Sequence, residues 1–368
     1  MSIFQKLFSG GSKGVGVEIT PDRVNVAQLQ KQGQGYKLLH LSSVEVPEGV
    51  VQEGQIADTE AMAGLVQSAL EQEKIRSKRV AAAIPGREAV TRLIPVPEEL
   101  DDRELREMVL NQEAGLYLTF PREEADVDYQ KLGTFMDEDG IEKRQVLLVA
   151  TRKSVTDTYI RTFEQANLQI DILEVSSFSL IRSIRSQLMD YSPQQAVAIA
   201  DIQFETTEIS IVVEGIPQFS RTVPIGTYQI QSALNRAMNM PPSRNTDLLQ
   251  DMTIPVMAAD TIGGITKMNN TNPGAAAMIR VLGELADELR RSIDFYLNQG
   301  EDQEVAQLFL AGPGGGLGQL DEFFSQRLSL AAVQIDPITA LSLEASDEIS
   351  PIQRPGLGIV LGLGMREV

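Results

Sequence analysis

The sequence predicts an α/β protein of two lobes, on three observations. A strand-turn-strand unit whose first strand ends in an acid occurs at Gly16–Val26, with Glu18, and again at Val197–Ile211, with Asp201. A glycine-rich turn, Gly312-Pro313-Gly314-Gly315-Gly316, follows late in the chain. At 368 residues the chain is too long for one ordinary core, so at least two lobes are expected.

Val15 to Val46 alternates or runs apolar at strand spacing around Pro-Asp and Gly-Gln-Gly turns, which predicts a meander. A helix follows from about Asp58 to Lys74, with Asp58 or Thr59 as N-cap and Met62, Leu65, Val66 and Leu70 on one face. Val80 to Ile84 reads as a buried strand stopped by Pro85-Gly86, and Ala89 to Val96 as a strand stopped by Pro97. An acidic helix is expected from Asp101 to about Glu113, then strands around Val127–Lys131 and Gln145–Ala150 joined by the turn Asp137–Gly140. A helix near Ser154, a strand from Gln169 to Val175 and a helix from Ser176 to Leu188 lead into the second hairpin. Residues 239–277 lack periodicity and read as a mobile surface insertion. Beyond them Ile279, Leu282, Leu285, Ala286, Leu289, Ile293 and Leu297 recur at helical spacing, the firmest helical signal in the chain.

Composition excludes several functions. Apolar residues at 42% and charged residues at 23% describe a globular chain, and no apolar run reaches the roughly 18 residues that cross a bilayer. With no signal-peptide pattern at the N-terminus, the expected location is the cytoplasm. Without cysteine there are no disulfides, thiolate metal sites or cysteine nucleophiles, and a single histidine, His40, reads as an ordinary strand residue. A net charge of −19 repels phosphate backbones, so nucleic acid is not an expected partner. The basic run Lys74–Arg79 reads as a solvated connection, with docking of an acidic partner as the alternative.

A hairpin that grips phosphate needs free backbone N–H groups at its turn, where glycine permits close approach. The acid ending its strand would hold Mg²⁺, usually through waters. Here the first turn is Thr20-Pro21, and proline offers no N–H. In the second hairpin Gln203 and Phe204 stand where small residues would admit a phosphate, beside Thr206 and Thr207. Two plain hairpins with solvated acids are the other reading of these spacings. The late turn has neither the Lys-Ser/Thr of a Walker A loop nor a G-x-G-x-x-G register, since Leu317 occupies the third glycine position. A strand-to-helix turn passing under a flat ring fits it better, beside the reading of a plain turn.

Two hairpins followed by a late glycine turn, in that order, resemble the nucleotide cleft of the actin-like ATPases. Ala83–Pro97, Arg221–Gly226, Arg291–Tyr296 and the closing Gly356–Gly364 extend the resemblance to the PilM family of type IV pilus assembly and, at one remove, the division protein FtsA. The resemblance implies an actin-like (ribonuclease-H-like) two-lobed fold with an FtsA-type 1C subdomain inserted at 80–166. It places subdomain 1A at 14–79 with 167–196 and 337–368, and the second lobe at 197–336. It implies ATP or ADP with Mg²⁺ at Glu18, Thr20, Asp201, Gln203, Thr206, Thr207, Gly312, Gly314, Gly315 and Gly316, with Glu18 and Asp201 on the metal only when nucleotide binds. It also implies capture of the cytoplasmic N-terminal peptide of PilN in a groove beside 1C, for which Ile84, Arg87 and Arg92 are the candidates. A homo-oligomeric ring linking the inner-membrane assembly complex to the motor ATPases, peripheral to the membrane through its partners, completes the expectation.

The chain departs from the family pattern at Glu18 for Asp, Thr20 and Gln203 for glycine, and Thr246–Gln250 for Ala-Glu-x-x-Lys. A degraded cleft follows, with nucleotide binding weak or absent, hydrolysis not expected and no catalytic residue assigned. An active actin-like ATPase and an FtsA-like division protein are the alternatives. The latter is disfavoured by the absence of an amphipathic helix at Met365–Val368, and a sugar kinase by the absence of a further substrate domain. Residues 1–13, with Ile3, Phe4, Leu7 and Phe8 on one helical face, are expected to be a flexible tail or partner contact, with weak membrane binding as the alternative.

Overall fold

The computed structural model describes residues 13–33, 35–250, 252–255, 272–299, 303–344 and 349–367, and the tail expected at 1–13 lies outside them except for Lys13. Two five-stranded sheets, each opened by one of the acid-ended hairpins, carry the described fold, with a three-stranded sheet and a small hairpin attached to the first.

In the first lobe β1 (Lys13–Ile19), β2 (Arg23–Gln32) and β3 (Gly35–Glu45) form the predicted meander, followed by the hairpin β4 (Val51–Gln52) and β5 (Gln55–Ile56). Helix α1 (Thr59–Gln72) starts where Asp58 accepts a hydrogen bond from the Ala61 N–H at 2.9 Å, satisfying one orphan donor of the first turn. It buries Met62, Val66 and Leu70 against the sheet. Strand β6 (Arg79–Ile84) then runs parallel to β1, with Gly16 opposite Ala81.

The chain next builds a separate unit: β7 (Ala89–Pro97), α2 (Asp102–Glu107), α3 (Ala114–Tyr117), β8 (Ala125–Met136) and β9 (Glu142–Arg152), with sheet order β7-β9-β8. Its own small core holds Ile94, Val96, Leu105, Val109, Val146 and Leu148. Within the expected 80–166, the separate sheet and its core span residues 89–152. Val80–Ile84 pairs inside the large sheet, and α4 (Lys153–Gln165) buries Val155, Tyr159 and Phe163 in the first-lobe core. Strand β10 (Gln169–Val175) completes the sheet order β10-β6-β1-β2-β3, and the expected helix after it divides at Ile184 into α5 (Ser176–Ser183) and α6 (Arg185–Leu188).

The second lobe repeats the plan: a meander of β11 (Gln195–Ile202), β12 (Thr207–Val213) and β13 (Ile216–Val223), then α7 (Thr227–Ala237) and α8 (Pro273–Leu297). Helix α8 starts six residues before Ile279, because Asn272 caps it and Pro273 fits its first turn. Leu282, Leu285, Ala286 and Leu289 are fully buried, the leucines contributing roughly 1.5–3 kcal/mol each. The region expected as an insertion at 239–277 is packed in part: Leu249 and Ile254 enter the second-lobe core, and Thr253 bridges to Gly318. Residues 251 and 256–271 lie outside the described residues. Strand β14 (Glu304–Ala311), α9 (Gly312–Gly315), α10 (Leu320–Leu328) and β15 (Ala332–Gln334) give the sheet order β13-β12-β11-β14-β15.

After α11 (Pro337–Ala340), the glycine-rich α12 (Gly358–Gly364) returns to the first lobe between β1 and α5. Glycine is required there by close approach. A Cβ on Gly362 would lie 1.9 Å from the Ser179 carbonyl oxygen, and one on Gly16 would lie 2.5 Å from the Leu363 Cβ. Gly362→Ala is expected to lower unfolding stability by about 3 kcal/mol through forced separation of α12 and α5. Gly283→Ala, where a Cβ meets open space, is expected to be neutral or stabilising by up to about 1 kcal/mol. Paired urea titrations measure both. No helix among the described residues is long and apolar enough to cross a membrane.

Candidate functional site

Two concave regions concern function: a cleft between the two hairpins and a groove between the inserted sheet and the first lobe. The cleft brings together Glu18, Thr20, Asp201, Gln203 and Thr206, five of the residues singled out in the sequence. The enclosed space among them is about 70 Å³. Pockets that take ligands of cofactor size measure roughly 300–1,000 Å³.

The turn groups are engaged by the protein itself. In the first hairpin the Thr20 hydroxyl, 2.9 Å from both Asp22 Oδ1 and the Arg23 carbonyl oxygen, shares its one proton between them and accepts from the Arg23 N–H at 3.0 Å. The Thr20 N–H donates to the Arg23 carbonyl. In the second hairpin the Gln203 side-chain amide donates to Asp201 Oδ1 at 2.8 Å, and its N–H donates to the Thr206 carbonyl. The N–H groups of Thr227 and Tyr228, at the start of α7, donate to the Gln203 and Phe204 carbonyls.

The acids are buried. Glu18, 4% exposed, accepts from Asn25 Nδ2 at 3.1 Å. Burial pushes its carboxyl up to about 8, against the pull of the Asn25 hydrogen bond and with added repulsion from Asp201 and Asp22. Burial, with repulsion from Glu208, lifts Asp201 to about 7. Among the described residues no group of three or more acidic or histidine side chains is placed to hold a metal ion.

The remaining expected nucleotide residues are not among those lining the cavity of the cleft. The buried Thr207 hydroxyl donates to the Ile225 carbonyl at 2.6 Å. Gly312, Gly314, Gly315 and Gly316 are buried in packing rather than lining that cavity. Gly312 has φ +76°, and a Cβ there would lie 2.5 Å from the Ile202 carbonyl oxygen and 2.6 Å from Asp201 Oδ1, so the start of the late turn stands against the cleft carboxyl. A Cβ on Gly316 would lie 1.9 Å from the Ile352 carbonyl oxygen. The late turn thus meets the cleft at Gly312 and packs against the C-terminal segment at Gly316.

Two further residues shape the cleft. Buried Glu208 projects from β12 over Gly86, where a Cβ would lie 2.3 Å from its Oε2, and accepts from the Ser176 hydroxyl at 3.4 Å. A glutamate as the one charged residue of the strand Thr207–Val213 was the sequence signal for it. Arg87, a candidate for the partner groove from the sequence, lines the cleft. Its guanidinium fills the space left by the missing side chain of Gly54, and Nη2 stands 3.8 Å from Glu205 Oε2.

The groove measures about 530 Å³. Antiparallel pairing places Asp126, Asp128 and Gln130 of β8 opposite Thr151, Val149 and Leu147 of β9, so these six share one face of the inserted sheet. Across from them lie Ile172 and Glu174 of β10 with Phe178 of α5. Among the described residues β8 and β10 each pair on one side only, so two strand edges border the groove. Ile84 also lines it. Arg92 does not: it pairs with Leu148, whose side chain enters the small core on the opposite face. Glu174 ties one end, accepting from Arg182 at 2.6 and 2.7 Å and from Arg366 Nε at 3.0 Å. Burial raises its carboxyl, but the two guanidinium groups outweigh burial and hold it below the ordinary carboxylate range.

The sequence pattern of the family described as type IV pilus assembly protein PilM matches residues 16–248, more than half of the chain. The chain belongs to the PilM family. The solved structure titled "PilM-PilN type IV pilus biogenesis complex" is similar over 96% of this PilM-family chain and 98% of its own, at 22% identity and a TM-score of 0.80. The ethanolamine utilization protein EutJ from Carboxydothermus hydrogenoformans is similar over 96% of this chain and 89% of its own, at 13% identity and a TM-score of 0.55. The fold is the expected actin-like one of two lobes.

Proposed function

We propose that this PilM-family protein is a cytoplasmic adaptor of type IV pilus assembly that captures the N-terminal cytoplasmic peptide of a PilN partner in the groove, and that its cleft does not turn over nucleotide. The observation that carries the reading is the contrast between the two concavities. The groove offers about 530 Å³, an apolar floor at Leu147 and Val149, and two strand edges whose backbone groups suit an extended peptide. The cleft offers about 70 Å³.

The cleft residues do not fit a magnesium nucleotide as they stand. Pro21 has no N–H, Gln203 occupies an oxygen of Asp201, and Glu208 covers Gly86. Burial favours the protonated forms of both Glu18 and Asp201, whereas a metal requires carboxylates. Peripheral attachment to the inner membrane through PilN, a ring of copies and a link to the motor ATPases belong to the same reading.

The test is a calorimetric titration of the full chain with a synthetic PilN N-terminal peptide, with and without Mg-ATP. Saturable 1:1 binding with the same Kd in both conditions is expected. Absence of binding in both would sink peptide capture, and a Kd that moves with Mg-ATP would overturn the inert cleft.

A further inference from the structure

A buried apolar cluster, with Ala83, Leu180 and Ile184 on one side and Val197, Ile199 and Phe309 on the other, joins the two lobes. It leaves the cleft free to open or close about it, and in many two-lobed proteins a ligand in the cleft supplies the contacts that close them. In this chain the protein's own groups cross between the lobes at both ends of the cleft. At the mouth, a second-lobe segment at residues 243–247 reaches the turn of the first hairpin. Arg244 Nη2 donates to the Pro21 carbonyl at 2.9 Å, while its guanidinium lies 5.0 Å from the centre of the Phe204 ring. Beside it Asp247 Oδ1 accepts from Arg23 Nη2 at 3.3 Å. The segment is stiffened locally, since the Asp247 N–H donates to Asn245 Oδ1 at 2.7 Å and Asn245 Nδ2 donates to Asp247 Oδ2 at 3.1 Å.

At the inner wall Glu208, on the second sheet, seats its carboxyl over Gly86 and accepts from Ser176, both on the first lobe. Arg87 of the first lobe faces Glu205 of the second. Anions normally recruited to such glycine turns and helix starts come from a ligand. Here the carboxylate is internal.

We infer that the strap at residues 243–247 and the Glu208 seat form a built-in clamp that holds the two lobes closed without a ligand in the cleft. Closure is then a fixed property of the adaptor, and the face that the first lobe and its inserted sheet present does not depend on nucleotide. The inference stands on the contacts between lobes and does not require peptide capture.

The absence of cysteine allows two labels to be placed uniquely, at Lys37→Cys on β3 and Glu284→Cys on α8, both exposed. Pulsed dipolar spectroscopy of spin labels on the full chain is expected to give one narrow distance, unchanged by Mg-ATP or Mg-ADP. Arg244→Ala with Glu208→Ala is expected to broaden that distribution about twofold and shift it to longer distance. Should removal of Glu208 prevent folding, Arg244→Ala with Asp247→Ala, confined to the strap, carries the same expectation. A distance in the parent protein that shifts on adding Mg-ATP would overturn the inference, as would strap variants whose distribution matches the parent. Peptide capture, read by titration of the same labelled protein, reports separately on the adaptor reading.

Discussion

Glu18→Gln combined with Asp201→Asn is expected to raise the thermal midpoint by several degrees at about pH 8.5 and to leave it nearly unchanged at about pH 4. Both carboxyls titrate in the folded protein well above their ordinary values, Glu18 at about 8 and Asp201 at about 7, chiefly because burial disfavours charge. In the unfolded chain they lose their protons near 4.5 and 3.8. Between those values and about 8 the folded state therefore binds more protons than the unfolded state. Stability is fully present below the unfolded values and falls as pH rises through 7 and 8. The amides keep the hydrogen bonds from Asn25 and Gln203 while removing the charges. Each pH unit of raised titration corresponds to about 1.4 kcal/mol, and relaxation of the site reduces the realised gain to a few kcal/mol. Differential scanning calorimetry across this range measures it. Equal midpoints for parent and variant at the alkaline end would show that the acids are solvated.

The same substitutions separate the adaptor from an actin-like ATPase. An enzyme that relied on Glu18 and Asp201 to hold Mg²⁺ would lose activity with the amides, because an amide cannot supply the anionic oxygens that a hard cation prefers. An adaptor gains stability and keeps its peptide. The cleft acids thus behave as a cost to the folded protein at neutral and alkaline pH, offset by the surrounding core and by the contacts that cross between the lobes.

How much of this was legible in the sequence depended on distance along the chain. The hairpins, α1 and α8 were readable because period, cap and turn chemistry are local: Asp58 caps α1, and the leucine stripe of α8 is wholly buried. The two-lobed plan was readable from the repeated unit. The limits of the inserted sheet were not, because Val80–Ile84 is equally apolar whether it pairs with β1 or with β9. Pairing across the fold decides it. The five cleft residues shared by hairpin logic were brought together as expected, but the fate of Gly312–Gly316 was not visible. Glycine serves a ligand and a close backbone approach equally well, and only the position of Ile202 and Ile352 tells them apart. The faces that Arg87 and Arg92 take were not legible for one reason: alternation along β7 and the turn before it settles which face a side chain takes only once the partner strand and its register are known.

The assignment of that face leads to the largest effect expected on binding. Val149→Asp should weaken capture of the PilN peptide by about 100-fold or more, with Arg92→Ala and Arg87→Ala remaining within about twofold of the parent. Val149 is half-buried on the groove face of β9, opposite Asp128 of β8. An aspartate there faces another acid directly across the strands and gives up the packing of Val149 against the first-lobe core, so the free protein is expected to lose roughly 1–3 kcal/mol of stability while remaining folded. When a peptide covers the groove, the new carboxylate loses its water without gaining a cation, because the nearby Arg182 and Arg366 already bind Glu174. An unpaired buried charge costs about 3 kcal/mol or more, which is the origin of the 100-fold figure. Arg92 extends from the opposite face of the inserted sheet and Arg87 points into the cleft, so their loss leaves the groove floor unaltered. Titration calorimetry on the three variants, with circular dichroism to confirm folding, measures the contrast. Loss of binding in Arg92→Ala with retention in Val149→Asp would move the peptide to the other face of the sheet.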